Sequence, residues 1–304
     1  MLASRLEPIS GPRSWRAAEV ADDRRYVLGL DGDAAAALAE LGKSDDVASK
    51  SRLRRLAATI LSRLYQGPGF VVVRRFPIDD EDDSIRLFLR FGRLLGRPVV
   101  QTGAGALVER VTDLGSPTAT ASMTTRALVH HTDFTTLADS VEDAHFPVLG
   151  LLMVRAAKSG GESQLASGYA VHDRLLRDAP ALLERLYSEF CFDRSGGPVH
   201  REKDVLLAPV FREVDGSIRV LYNRPRIQRG HGAALRRLDP LSVQALDALD
   251  DLLVSAEYNH TFGLSPGDAL FVNNWSLLHN RHAFSDEAEV DRKRLLLRLW
   301  VATD

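Results

Sequence analysis

Residues 52–65 place Leu53, Leu56, Ala57, Ile60, Leu61 and Leu64 at helical spacing, with Arg52, Arg54, Arg55 and Arg63 elsewhere around the turn. The pattern predicts an amphipathic helix with a solvated basic face. Gly67-Pro68-Gly69 stops it. Phe70-Val71-Val72-Val73 then predicts a buried strand, because β-branched side chains suit a pleated surface. Asp82, Asp83 and Ser84 are N-cap candidates for a second helix that turns Ile85, Phe88, Leu89 and Leu95 inward. The alanine run at 34–39 signals a further helix.

From about residue 99 the texture changes. Short apolar runs appear at Ala106–Val111, Ala127–His131, Val148–Val154, Val205–Phe211, Arg219–Tyr222, Ala269–Asn273 and Leu295–Val301. Turn signals such as Ser159-Gly160-Gly161, Asp215-Gly216 and Pro266-Gly267-Asp268 separate many of them. Many short strands divided by turns predict a sandwich, jelly roll or barrel. Helical patterns interrupt at about 168–190 and 240–256. The fold class is therefore α+β with a mainly β core. The expected organisation is a single domain over 1–304. A helical part covers about 1–98, and a jelly-roll core about 99–304 carries a helical insertion at about 168–256.

Composition narrows the partners. The chain has 304 residues, 45% of them hydrophobic, and a formal charge of −2. That balance argues against a general polyanion binder, so no nucleic-acid partner is expected. No run approaches ~18 apolar residues, which predicts no transmembrane helix. The first residues lack the apolar core of a signal peptide, so a cytoplasmic location is the default expectation. The single cysteine, Cys191, excludes an internal disulfide and a Cys-rich zinc site. Neither a G-x-S-x-G elbow, nor H-E-x-x-H, nor a phosphate-binding glycine loop is present.

Two histidine settings carry candidate chemistry. In Leu128-Val129-His130-His131-Thr132-Asp133-Phe134, a strand would point His131 and Asp133 to one face and His130 and Thr132 to the other. A second segment, Phe271 to His279, ends an apolar run after a Pro-Gly-Asp turn. Two histidines and one carboxylate cover one face of an octahedron and leave positions open, which suits non-haem Fe(II) oxygen chemistry. Spacing alone fits buried core histidines equally well.

The order of blocks adds to this. His131-Thr132-Asp133 is followed by Lys158-Ser159-Gly160-Gly161-Glu162-Ser163, then by Asn273 to Arg281 around His279, then by Arg292-Lys293-Arg294 and Arg298. Over roughly residues 65–304 the chain resembles the Fe(II)/2-oxoglutarate-dependent dioxygenases related to taurine dioxygenase and clavaminate synthase. The resemblance implies a double-stranded β-helix (jelly roll) with flanking helices. It implies Fe(II) held by His131, Asp133 and His279, with 2-oxoglutarate and O2 as cosubstrates. Related halogenases lack the carboxylate, so Asp133 points to hydroxylation. The distal carboxylate of 2-oxoglutarate needs a cation, and Arg294 fits the family position, with Arg298 four residues on and Arg292 of the same parity. Ser163 stands where the family often has Thr, a hydroxyl donor to that carboxylate. Arg298 is then expected to bind a substrate anion or share the cosubstrate.

Arg224 or Arg226, Arg126 and Gln101 are further candidates for the substrate pocket, with Asn274. A small polar, anionic molecule, an amino acid or its derivative in specialised metabolism, is the expected substrate. The rivals are a cupin-like metal-binding protein or isomerase that uses the same ligands without 2-oxoglutarate, or a desaturase or cyclase of the same family. The oligomeric state is open.

Overall fold

The computed structural model describes residues 7–21, 26–41, 47–116, 120–137, 140–195 and 205–303. Two β-sheets face each other. The larger has seven strands in the order Val27–Gly29, Phe70–Arg74, Ala269–Asn273, Val148–Arg155, Leu295–Ala302 and Arg97–Pro98, with Val108–Val111 also paired to Leu295–Ala302. The smaller is Asn259–Phe262, Ser163–Ser167 and Leu277–Arg281, antiparallel throughout. This is the jelly-roll core with flanking helices that the strand pattern predicts.

The strands read as continuous apolar runs because both faces of each sheet are covered. Along Val148–Arg155, Leu149 and Met153 enter the layer between the sheets, beside Phe70, Leu165, Leu277 and Trp300. Val148, Leu152 and Val154 turn the other way, onto Leu53, Ile60, Phe88 and Phe91 of the helices Val47–Tyr65 and Glu81–Leu95. The smaller sheet presents Ala166 and Leu278 to a third cluster, built by the helices Gly168–Asp178, Pro180–Leu186, Arg224–Ala233 and Pro240–Val254. Each fully buried Leu or Phe contributes about 1.5–3 kcal/mol, so these three layers hold the sandwich.

Two local expectations need correction. The helix at 81–95 is capped by Asp80, whose side chain accepts from the backbone N–H of Asp83, and not by Asp82, Asp83 or Ser84. Residues 127–131 form no strand; His131 makes single bridges to Asn223 and His279 instead. The buried strand expected at 70–73 forms as Phe70–Arg74 and joins the larger sheet, as does Arg97–Pro98. Within the insertion the apolar run expected at 205–211 forms strands, and Val205–Pro209 pairs antiparallel with Glu189–Asp193. No helix among the described residues is long and apolar enough to cross a membrane.

Candidate metal centre and cleft

His279 lies on the strand Leu277–Arg281, on the same side as Leu277, which packs between the sheets. Its backbone exchanges two hydrogen bonds with His131, at 3.0 and 2.9 Å. That pairing brings the two imidazole rings to 4.2 Å between centroids. Asp133 follows two residues later, and the side chain of Asn274 holds it in place of a strand partner. Asn274 Oδ1 accepts from the Asp133 N–H at 2.9 Å, and Asn274 Nδ2 donates to the Asp133 carbonyl at 2.7 Å.

The donor atoms converge. Asp133 Oδ1 is 3.6 Å from His131 Nε2 and 4.0 Å from His279 Nε2, and the three ligand atoms lie within 4.8 Å of one another. Among the described residues this is the one such group. The Nδ1–H of His131 donates to the Val129 carbonyl at 2.8 Å, which leaves Nε2 with its lone pair toward Asp133. Burial, more than the neighbouring cations, lowers both imidazoles below their ordinary value, His279 to about 3. Burial alone would raise Asp133. The Arg298 cation, followed by the two imidazoles and the Trp300 N–H, outweighs it and holds the carboxyl at about 2. Two neutral imidazoles and an ionised carboxylate are the protonation states a divalent cation requires. The donor set fits Fe(II).

Oδ2 of Asp133 is occupied from behind. Trp300 Nε1 donates to it at 2.9 Å, and Arg298 approaches at 3.4 Å. Arg298 also pairs with Glu109 and donates to Gln101 Oε1 at 2.8 Å. Gln101 in turn donates to the carbonyls of Leu107 and Arg298, so it fixes the arginine.

Arg294 is 3% exposed, while Arg292 stands at the surface near Glu287. The Arg294 guanidinium lies 5.2 Å from the Phe284 ring, and Arg281 lies 4.7 Å from the same ring. Among the described residues neither makes an ion pair with a carboxylate. Burial lowers both to about 10; the charge of Arg294 depresses Arg281 further, and Asp286 partly restores Arg294. Ser163 is the strand partner of Arg281 and shares the inward side of its strand with Leu165. Gly160 and Gly161, at φ 76° and 80°, make the turn into this strand, and a Cβ on Gly161 would meet Arg294 Nε at 3.4 Å. Arg281 gives its Nη atoms to the carbonyls of Ser122, Thr124 and Arg126, whereas the Arg294 guanidinium, buried and without an ion pair among the described residues, fits an incoming carboxylate. The sequence reading missed Arg281, although its even offset from His279 on one strand was a signal.

Above the triad opens a cleft of about 780 Å³. Gln101, Arg126, Arg298, Arg226 and Arg229 line it. Arg224 is not brought there. On the helix Arg224–Ala233 it turns to Asp247 at 2.7 Å and Asp250 at 3.2 Å. Asn274 lies beneath the cleft as a support for Asp133. His282 pairs with Glu162 at 3.2 Å, half exposed.

Comparisons with known proteins bear on family and fold. The family described as "Taurine catabolism dioxygenase TauD, TfdA family" matches residues 34–300. FR-33289 synthase of Streptomyces rubellomurinus is 28% identical over 97% of this chain and 90% of its own length. Human gamma-butyrobetaine dioxygenase is 28% identical over 56% of this chain and 43% of its own. Among solved structures, asparagine oxygenase in complex with Fe(II), 2S,3S-3-hydroxyasparagine and succinate superposes with a TM-score of 0.68. It shares 20% identity over 92% of this chain and 94% of that one. Non-heme iron oxygenase OrfP with Fe and alpha-ketoglutaric acid gives 0.62 at 18% identity, over 91% and 94%. The chain belongs to the TauD/TfdA family of Fe(II)- and 2-oxoglutarate-dependent dioxygenases.

Proposed function

We propose that this protein hydroxylates an unactivated C–H bond of a small anionic substrate, an amino acid or a derivative of one. The observation that carries the reading is the buried His131, Asp133 and His279 group at the floor of a cleft. These three residues hold Fe(II). Bound there with 2-oxoglutarate and O2, the metal supplies oxidation of a strong C–H bond, with release of CO2 and succinate.

The chain's own part is positioning and charge control. His131 offers Nε2 because Val129 fixes its tautomer. Asp133 offers Oδ1 because Trp300 and Arg298 occupy Oδ2 and keep the group ionised. Arg294 takes the distal carboxylate of 2-oxoglutarate, with the Ser163 hydroxyl and Arg281 beside it. The substrate occupies the cleft lined by Gln101, Arg126, Arg226 and Arg298. Solved relatives bound to hydroxyasparagine and to (3S)-hydroxy-L-Arg support an amino-acid substrate class.

Anaerobic titration with Fe(II) and 2-oxoglutarate tests the reading. The visible charge-transfer band of the chelate is expected in the wild type and absent in His131→Ala. Metal binding without that band would sink the assignment and favour a cupin-like protein that does not turn over 2-oxoglutarate.

A further inference from the structure

Four arginines line the cleft, and they are not equivalent. Arg298 is committed to Glu109 and Asp133. Arg229 pairs with Asp193 Oδ2 at 2.7 Å. Arg126 stands at the exposed rim. Arg226 is half-buried, yet among the described residues no carboxylate lies within ion-pairing distance of it. Its Nη1 donates to the Asp193 carbonyl at 2.8 Å, and its guanidinium lies 5.1 Å from the Phe134 ring. The Asp193 carboxylate is taken, by Arg229 on one oxygen and by the Ser195 N–H on the other.

The placement of Arg226 is fixed. Its backbone N–H donates to Oδ1 of the N-cap Asn223 at 3.2 Å, so it sits in the first turn of its helix. That end of a helix carries partial positive charge. Phe134 follows Asp133 directly, so the ring against Arg226 is tied to the carboxylate of the triad. A guanidinium has five N–H donors in a rigid fork, and one carbonyl engages one of them. A half-buried guanidinium in this state keeps donors on the cleft side for an incoming anion.

We propose that Arg226 is the residue that selects the anionic group of the substrate, a carboxylate or an oxyanion of phosphorus or sulfur, by a two-donor contact in the cleft. The inference rests on the oxygenase reading above and names its recognition residue. Arg298, which the sequence marks for this task, is already neutralised. A substrate anchored on Arg226 spans from the wall built by the insertion toward His131, Asp133 and His279. A neutral isostere leaves the fork unpaired and is rejected.

The test uses the full chain, anaerobic, with Fe(II) and saturating 2-oxoglutarate so that Arg294 is engaged. Acetate, inorganic phosphate and acetamide are titrated by calorimetry and by perturbation of the visible band. Acetate or phosphate is expected to bind saturably, and which of them binds tighter separates the two oxyanion classes. Acetamide is expected not to bind. Arg226→Gln weakens the anion about tenfold or more, and Arg226→Lys gives an intermediate loss. Arg224→Gln, two residues away with the same charge, changes it less than about twofold. Equal binding of acetamide and acetate, unchanged affinity in Arg226→Gln, or no saturable anion binding would each overturn the proposal. Should Arg226→Gln fold poorly, Arg226→Lys and the acetate–acetamide pair still decide. If no visible band forms, the oxygenase reading fails separately, and calorimetry on the metal-free protein still reads dependence on Arg226.

Discussion

Asp133 depends on residues that never reach the cleft. Asn274 is fully buried and donates to the carbonyls of both Asp133 and Phe146. Removing it orphans three buried backbone groups, each worth about 1–3 kcal/mol. Asn274→Ala should therefore lower the melting temperature and weaken Fe(II) binding about 10–100-fold, as loss of ligand support typically does; calorimetric titration of Fe(II) would check it. Below Asn274, His145 Nε2 faces its carbonyl at 3.1 Å. Burial, helped by the Arg212 charge, holds His145 down to about 3 from 6.5. Between those values the unfolded chain binds a proton that the folded one refuses. The contribution of His145 is complete above pH 6.5 and shrinks as pH falls toward 3, by about 1.4 kcal/mol per unit. His145→Gln should flatten the stability profile by that slope, which urea denaturation at pH 7, 6 and 5 would measure.

At the scale of elements, the turn into Ser163–Ser167 borders the proposed cosubstrate end. Gly160 has φ 76°, and a Cβ there would lie 2.5 Å from the Ala283 carbonyl. Gly160→Ala should cost about 1–3 kcal/mol through strain and displacement. It should also raise the dissociation constant for 2-oxoglutarate, whereas Gly216→Ala, with open space around it, should leave that constant alone; parallel titrations of the two variants would show the contrast. This turn was legible in the sequence, because a glycine pair is a local signal, whereas His279 stood out through the order of blocks that the family resemblance supplies. That 127–131 forms no strand was not legible, because Asp133 is held by a side chain 141 residues away. Arg224 and Arg226 were indistinguishable on paper as the end of a strand. On a helix, two positions apart turns them to different surroundings, toward Asp247 and toward Asp193. The run of acids from Asp79 to Asp83 concealed Asp80 as the cap because neighbouring residues of one type carry equal propensity.

For the whole molecule, ligands that bind only the folded state add to its stability. Fe(II) at a hundredfold its dissociation constant should contribute about 2.7 kcal/mol, with a further increment from 2-oxoglutarate. Arg294→Ala should keep the first increment and lose most of the second, which melting curves with each ligand in turn would reveal. An unchanged second increment would move the carboxylate to Arg281. The two ends of the reaction chamber are drawn from separate stretches of chain. Ser163, His279, Arg281 and Arg294 belong to the sheets and the turns between them, while Arg226 belongs to the helix Arg224–Ala233 in the insertion. On the proposed reading, the residues that hold the metal and cosubstrate and the residue that recognises the substrate thus lie in different parts of the fold. If Arg226 recognises the substrate, exchanging residues of the helix Arg224–Ala233 should change which compound is accepted and leave the affinity for Fe(II) and 2-oxoglutarate in place.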